Sequence, residues 1–140
     1  VSPDALALAA ENAARLGLAH GVTLRQGDLW GAVQAGETFD VVVSNPPYVA
    51  ESERSGLAPE VEAWEPGTAL FAQEGGMAVL SRIVERAHEY LRPGGLLALE
   101  MGAEQGAAVV ALLASSGRYG PGRIVRDLTG RERIVMTEVQ

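Results

Sequence analysis

The segment that most constrains the fold of this chain is an apolar run that ends in two prolines. Phe39-Asp40-Val41-Val42-Val43-Ser44 is followed at once by Asn45-Pro46-Pro47-Tyr48. A β-branched run of this length is typical of a buried parallel strand, and a double proline continues neither a strand nor a helix. Asn45 is therefore predicted at the carboxyl end of a strand, where open α/β sheets bind their ligands.

The turn after this strand is rich in hydrogen-bond acceptors. The side-chain oxygen of Asn45 and the carbonyl groups of Asn45 and Pro46 accept, whereas the Asn-Pro peptide has no N–H to donate. These acceptors suit the two hydrogens of a planar amide or exocyclic amine, and the Tyr48 ring offers a flat surface beside it. The turn resembles the Asn/Asp/Ser-Pro-Pro-aromatic motif of amino methyltransferases that use S-adenosylmethionine. A plainer interpretation is that the prolines only end the strand and that Asn45 caps a turn.

Three further segments resemble one family of these enzymes, which methylates the glutamine side chain of peptide-chain release factors. They are residues 57–71 with Glu65-Pro66 and Ala69-Leu70, ahead of Gly75-Gly76-Met77; residues 91–102, with Gln105 beyond; and residues 127–135, with Asp127-Leu128-Thr129-Gly130-Arg131. The resemblance runs through essentially the whole chain. It implies a Rossmann-like class I methyltransferase fold, S-adenosylmethionine as cofactor and a release factor as protein partner.

The resemblance also implies roles for individual residues. Asn45 and Pro46 would be catalytic, and with Pro47 and Tyr48 they would form the substrate site. Asp28 would accept a hydrogen bond from the adenine amine of the cofactor, Leu29 would pack by the ring, and Asn45 would also border the cofactor. The plainer interpretation is that Asp28 caps a turn and Trp30 belongs to the core.

Two parts of such an enzyme are missing from the sequence. The chain has no glycine-rich turn after a first strand and no acidic residue ending a second strand to bind the ribose hydroxyls. It opens as a helix, with Ser2 as N-cap, Pro3 at the first helical position and Asp4 near the positive end of the helix dipole. We therefore expect residues 1–140 to be the C-terminal part of one methyltransferase domain that lacks its first two strands. The N-terminal substrate-recognition domain of the family would also be absent, and a glycine-rich turn and an acid are expected upstream of Val1.

Composition and charge narrow the class of protein. The 140 residues carry a net charge of -7 and no cysteine, and the basic residues do not cluster, so a protein substrate is favoured over nucleic acid. No apolar stretch approaches the roughly 18 residues that span a membrane, which favours the cytoplasm. His20 and His88 are expected to be exposed, and no metal site is predicted.

Helices and strands alternate along the chain. The predicted helices are a first one that stops at Gly17, a second across Met77 to Leu91, and a third over residues 104–116; the predicted strands are residues 22–26, 39–44, 96–101, 123–127 and 133–138. In the order of the family these are strands three to seven. The missing strands would lie between the first two of these, so long apolar edges are expected to aggregate or to pair with another chain.

The expected function is methyl transfer from S-adenosylmethionine to the side-chain nitrogen (N5) of a release-factor glutamine, which modulates translation termination. One alternative is an amino methyltransferase for DNA or RNA bases, because an exocyclic amine presents the same planar NH2 group. A second alternative is a non-catalytic truncated fragment. The 140 residues alone are expected to be inactive.

Overall fold

The computed structural model describes residues 2–50, 71–72 and 76–140. The chain divides into two compact units, Val1–Glu37 and Thr38–Gln140. The single methyltransferase domain stays a prediction.

The first unit begins with the predicted helix. Helix α1 spans Pro3–Arg15, and the Ser2 hydroxyl accepts a hydrogen bond from the Ala5 N–H at 3.3 Å, so Ser2 is the N-cap. Gly17 follows the helix in the left-handed conformation (φ 72°), which a glycine adopts without a steric penalty. The sequence prediction is confirmed at both ends of this helix.

The predicted strand over residues 22–26 is wrong, because these residues are not in a strand. A strand needs a hydrogen-bonded neighbour, and no strand in the described part of the chain pairs with this segment. It is held through a side chain instead. The Arg25 guanidinium bonds to both carboxylate oxygens of Glu37, one of them at 2.7 Å. A single turn of 3-10 helix, Leu29–Ala32, lies between these two residues in sequence.

The second unit is built on a mixed four-stranded sheet. In chain order its strands are β1 Phe39–Ser44, β4 Leu91–Glu100, β5 Arg123–Arg126 and β6 Glu132–Glu138. Their spatial order is β1-β4-β6-β5, with β1 parallel to β4 and the other neighbours antiparallel. A separate pair joins β2 Val49–Ala50 to β3 Phe71–Ala72 in parallel.

Two helices cover one face of this sheet. Helix α2 spans Met77–Tyr90 and helix α3 spans Gly106–Ser116. Successive side chains of β4 and β6 point to opposite faces of the sheet, so only every second side chain of these strands can contact the helices. The core consists of buried apolar side chains from the helices and from this face, among them Leu80, Val84, Leu97, Leu99, Val109, Leu113 and Val135.

Element boundaries differ from the predictions mainly around Pro93-Gly94-Gly95. These residues were expected to separate a helix from a strand, but β4 already begins at Leu91. The Gly94 N–H donates to the Val139 carbonyl and the Gly95 carbonyl accepts from the Val139 N–H, both at 3.0 Å, so the chain terminus pairs with this segment. Helix α3 begins two residues later than predicted, at Gly106. The closing hairpin is confirmed, with Gly130 in the left-handed region at its turn.

Burial of β1 is lower than predicted. Val41 is 50% exposed and Val43 is 74% exposed, because they pair with Leu96 and Ala98 and so lie on the sheet face opposite the one that buries Leu97 and Leu99. His20 is exposed as expected, but His88 is half-buried. The His88 and Tyr119 rings pack edge to face, with their centres 6.3 Å apart. No described helix is long and apolar enough to cross a membrane.

Candidate functional site

The Asn-Pro-Pro-Tyr turn lies where the sequence predicts it, directly after β1. Asn45 is exposed, Pro46 is buried, and Pro47 and Tyr48 are half-buried. Because β1 and β4 run in parallel with Ser44 beside Leu99, the ends of both strands meet at the same edge of the sheet. The turn is therefore next to the residues that follow β4.

The Tyr48 hydroxyl joins two charged side chains from different strands. It donates to Glu100 Oε1 at 3.0 Å and accepts from Arg133 Nη1 at 3.2 Å. The Arg133 guanidinium carbon also lies 5.8 Å from the centre of the Tyr48 ring, within the range of a cation–π contact. Burial, together with the hydrogen bond to Glu100, raises the pKa of Tyr48 above its ordinary value, so the phenol stays protonated and can donate.

The backbone of Tyr48 is held as well. Gln105 Nε2 donates to the Tyr48 carbonyl at 3.1 Å, while Gln105 Oε1 accepts from the Gly102 N–H at 2.8 Å. Gly76, the N-cap of α2, packs against the same carbonyl so closely that a Cβ on it would lie 2.0 Å from the oxygen. The turn is thus clamped between the loop after β4 and the start of α2.

Arg133 is itself fixed by the closing hairpin. Its Nη1 reaches the Met101 carbonyl at 3.4 Å and its Nε lies 3.7 Å from Asp127 Oδ2. Asp127 accepts from the Thr129 N–H at 2.8 Å and the Thr129 hydroxyl at 2.7 Å. The hydrogen bond from the Thr129 hydroxyl is the largest of the effects that hold the pKa of Asp127 below its usual range. The Asp127 carboxylate therefore stays charged beside Arg133.

The predicted site residues fall in both units. Asn45, Pro46, Pro47 and Tyr48 form one turn of the second unit. Asp28 and Leu29 belong to the first unit, where exposed Asp28 precedes the 3-10 turn and Leu29 has a φ of 45°. A positive φ is uncommon for leucine, and such backbone strain occurs preferentially at functional sites. Their contact with a cofactor stays a prediction, as do the catalytic roles of Asn45 and Pro46.

Part of the predicted site lies outside the described residues. This holds for the Glu65-Pro66 and Ala69-Leu70 elements, which carry the resemblance in the segment between β2 and β3.

Sequence reasoning missed the residues that hold the turn. Glu100 ends a predicted buried strand and so needs a partner or solvent, and the structure supplies Tyr48. Because Asp127 and Glu132 interrupt them, the sequence predicts a solvated face for five arginines, Arg118, Arg123, Arg126, Arg131 and Arg133. The first four are exposed, whereas Arg133 is half-buried. The alternation of β6 was the available signal, because Arg133 has the same parity as Val135 and Thr137, which lie on the buried face of the sheet. No sequence pattern linked Gln105 or Gly76 to Tyr48.

Comparison with known proteins supports the sequence resemblance. The chain is 47% identical over 135 residues to a release factor glutamine methyltransferase from Cereibacter sphaeroides, covering 96% of this chain and 48% of that protein. It is 46% identical over 136 residues to the protein of the same name from Gloeobacter violaceus, covering 97% of this chain and 47% of the relative. The chain thus spans about half the length of the curated relatives it matches. No protein-family model matches it.

Solved structures show the same fold. A methyltransferase from Pyrococcus furiosus superposes with a TM-score of 0.64 at 20% identity, over 99% of this chain and 59% of that one. TrmN from Thermus thermophilus gives a TM-score of 0.58 at 19% identity, over 99% and 34% respectively. At such identities the likeness concerns the fold alone. The chain has the fold of part of a Rossmann-like class I methyltransferase. Along nearly its whole length, its sequence is related to the release factor glutamine methyltransferases.

Proposed function

We propose that the complete protein carrying this chain transfers a methyl group from S-adenosylmethionine to the N5 nitrogen of a glutamine in peptide-chain release factors and so modulates translation termination. The observation that carries the proposal is the exposed, acceptor-rich Asn45 turn, held at the carboxyl end of a parallel strand by Tyr48. The names of the relatives supply the substrate class. A release-factor substrate implies work in the cytoplasm.

The reaction needs a site that orients rather than one that removes a proton. An amide nitrogen is a poor nucleophile because its lone pair is delocalised into the carbonyl, so most of the rate must come from alignment with the methyl group. Asn45 Oδ1 and the Pro46 carbonyl would accept from the two amide hydrogens and stabilise positive charge developing on nitrogen. Pro47 and Tyr48 would form the wall that keeps the planar amide in place. The nitrogen loses its proton only after transfer, so no general base is required.

The residues present fit part of the proposed cofactor. S-adenosylmethionine supplies an electrophilic methyl group on a positively charged sulfur when it is bound. The exposed Asp28 carboxylate is a suitable acceptor for the adenine amine, and half-buried Leu29 offers an apolar surface for the ring. Asn45 would border the methyl end of the cofactor.

A base-modifying enzyme is the rival activity. It would have to bind the phosphates around a flipped or unpaired base, and this chain, with a net charge of -7, offers no basic cluster in its sequence. Direct binding of nucleic acid is therefore not part of the proposal.

The test is a labelling experiment on the complete gene product. It is incubated with S-adenosylmethionine that carries a radioactive methyl group, in parallel with purified release factor and with total nucleic acid. We expect label in the release factor, lost when the acceptor glutamine is replaced by asparagine. Label found only in nucleic acid would establish the rival activity, and label in neither would favour a non-catalytic chain.

A further inference from the structure

The strongest unassigned cluster surrounds the Tyr48 hydroxyl. Glu100 comes from the end of β4 and Arg133 from the start of β6, so the hydroxyl bridges two strands that are neighbours in the sheet. All three side chains are at most half exposed, where an unpaired charge would be costly. Each charged side chain has a partner: Glu100 accepts a hydrogen bond from the neutral phenol, and Arg133 lies close to the Asp127 carboxylate.

Anchoring Tyr48 also restricts Asn45. The two prolines between them have fixed φ angles, and a residue that precedes proline is kept out of the helical region. Few backbone torsions are therefore free between the anchored tyrosine and the asparagine. The bond from Gln105 to the Tyr48 carbonyl removes further freedom at the same end of the turn.

We propose that Glu100 and Arg133 are positioning residues, which fix Tyr48 and, through the rigid Pro46-Pro47 link, set the orientation of the Asn45 amide. The proposal rests on the proposed function as far as the effect on methyl transfer is concerned. The orientation of Asn45 itself can be measured without any reaction.

The kinetic test uses conservative variants of the complete gene product. Arg133→Lys keeps the positive charge but loses the planar fork that serves the phenol, the Met101 carbonyl and the Asp127 carboxylate together. Glu100→Gln keeps an acceptor for the phenol but loses its charge. We expect kcat to fall about tenfold in each variant, the scale of one misplaced polar contact, with KM for S-adenosylmethionine changed less than twofold.

The matched control is Arg131→Lys on the same hairpin. Arg131 is exposed, and its backbone rather than its side chain carries the bonds to Asp127. This variant should keep the kcat of the wild type. A kcat within twofold of wild type in both Arg133→Lys and Glu100→Gln would overturn the positioning role in catalysis.

The second measurement reads Asn45 directly by nitrogen NMR. In the complete gene product, the side-chain NH2 signal of Asn45 is the one lost in Asn45→Gln, and that of Asn12 is the one lost in Asn12→Gln. We expect Arg133→Lys and Glu100→Gln to shift the Asn45 signal, while that of Asn12, which accepts a hydrogen bond from Arg15 on its own helix, stays in place. An unmoved Asn45 signal in both variants would overturn the proposal. If the wild type methylates no release factor but its Asn45 signal responds, the proposed function fails and the positioning stands.

Discussion

Asn45 is the exposed residue of a turn whose other three residues are buried or half-buried. Its side chain is therefore free to meet a substrate, while its neighbours hold the backbone. Replacing it by alanine should lower turnover by about 100-fold or more, the effect of removing one preorganised polar contact from a transition state. Steady-state kinetics of the complete gene product measure this, with thermal unfolding as the check that the fold is intact. Turnover within threefold of wild type would exclude Asn45 from catalysis.

Gly76 shows that the site also depends on a residue without a side chain. It has a φ of 83°, and a Cβ at this position would approach Gln105 Nε2 to 2.3 Å as well as the Tyr48 carbonyl. Gly117 is a matched control, because it also has a positive φ (63°) but has open space around its Cα. Gly117→Ala should cost about 1 kcal/mol of unfolding free energy for the backbone conformation alone. Gly76→Ala should lose clearly more unfolding free energy than Gly117→Ala and should also reduce turnover. Urea unfolding and steady-state kinetics measure the two effects. Equal losses of unfolding free energy in the two variants would mean that the contact with Tyr48 is unimportant.

At the level of elements, the Arg25–Glu37 ion pair makes a pH-dependent contribution to the first unit. The guanidinium lowers the pKa of Glu37 to about 2. A carboxyl group with a depressed pKa stabilises the folded state above its unfolded pKa of about 4.5, and this contribution disappears as the pH falls through about 2. Glu37→Gln should therefore be less stable than wild type at pH 6, and the difference should vanish towards pH 2. Chemical unfolding of the wild type and of Glu37→Gln at several pH values measures this difference in unfolding free energy. A difference that is independent of pH would show that the Arg25–Glu37 ion pair is not formed.

The sequence predicted elements well wherever local chemistry determines them. The Ser2-Pro3 start of α1, the prolines after β1 and the Gly117 end of α3 each act within a few residues, and all three appear in the structure. The strand predicted over residues 22–26 is wrong, because a strand depends on a neighbouring strand that the local sequence pattern does not reveal. The predicted start of β4 is wrong for a related reason. The strand begins at Leu91 because Val139, near the other end of the sequence, pairs with Gly94 and Gly95.

The candidate site shows the same division. The acceptor turn is a local pattern and was predicted residue by residue, whereas its support comes from positions 52 and 85 residues away from Tyr48. A half-buried arginine and an exposed one look alike in sequence until the register of the sheet is known. The fold therefore explains why the turn is rigid, and the sequence explains what the turn can bind.

At the scale of the whole molecule, the edge of the sheet is a second exposed feature. Among the described strands β1 is an edge strand with Val41 and Val43 at least half exposed, and an apolar edge strand is a template for pairing with another chain. We expect this 140-residue chain on its own to associate in a concentration-dependent way. Val43→Lys should reduce the association, because a charge on an edge strand opposes pairing, while Val43→Thr keeps the strand propensity without the charge. Sedimentation of the three proteins tests this, and a wild-type chain that stays monomeric at high concentration would contradict it.

The 140 residues by themselves should have a low affinity for the cofactor. The predicted contacts from Asp28, Leu29 and Asn45 serve the adenine and the methyl end of S-adenosylmethionine, whereas the sequence has no glycine-rich turn for the methionine end and no acid placed to bind the ribose. Each missing charge-assisted hydrogen bond is worth roughly 1.5 to 3 kcal/mol, so the loss of several weakens binding by several powers of ten. The isolated chain should be inactive and bind S-adenosylmethionine no better than about millimolar, whereas the complete gene product should bind it far more tightly. Calorimetric titration of both proteins measures the difference. Micromolar binding by the isolated chain as a monomer would mean that residues other than Asp28, Leu29 and Asn45 form the principal cofactor site.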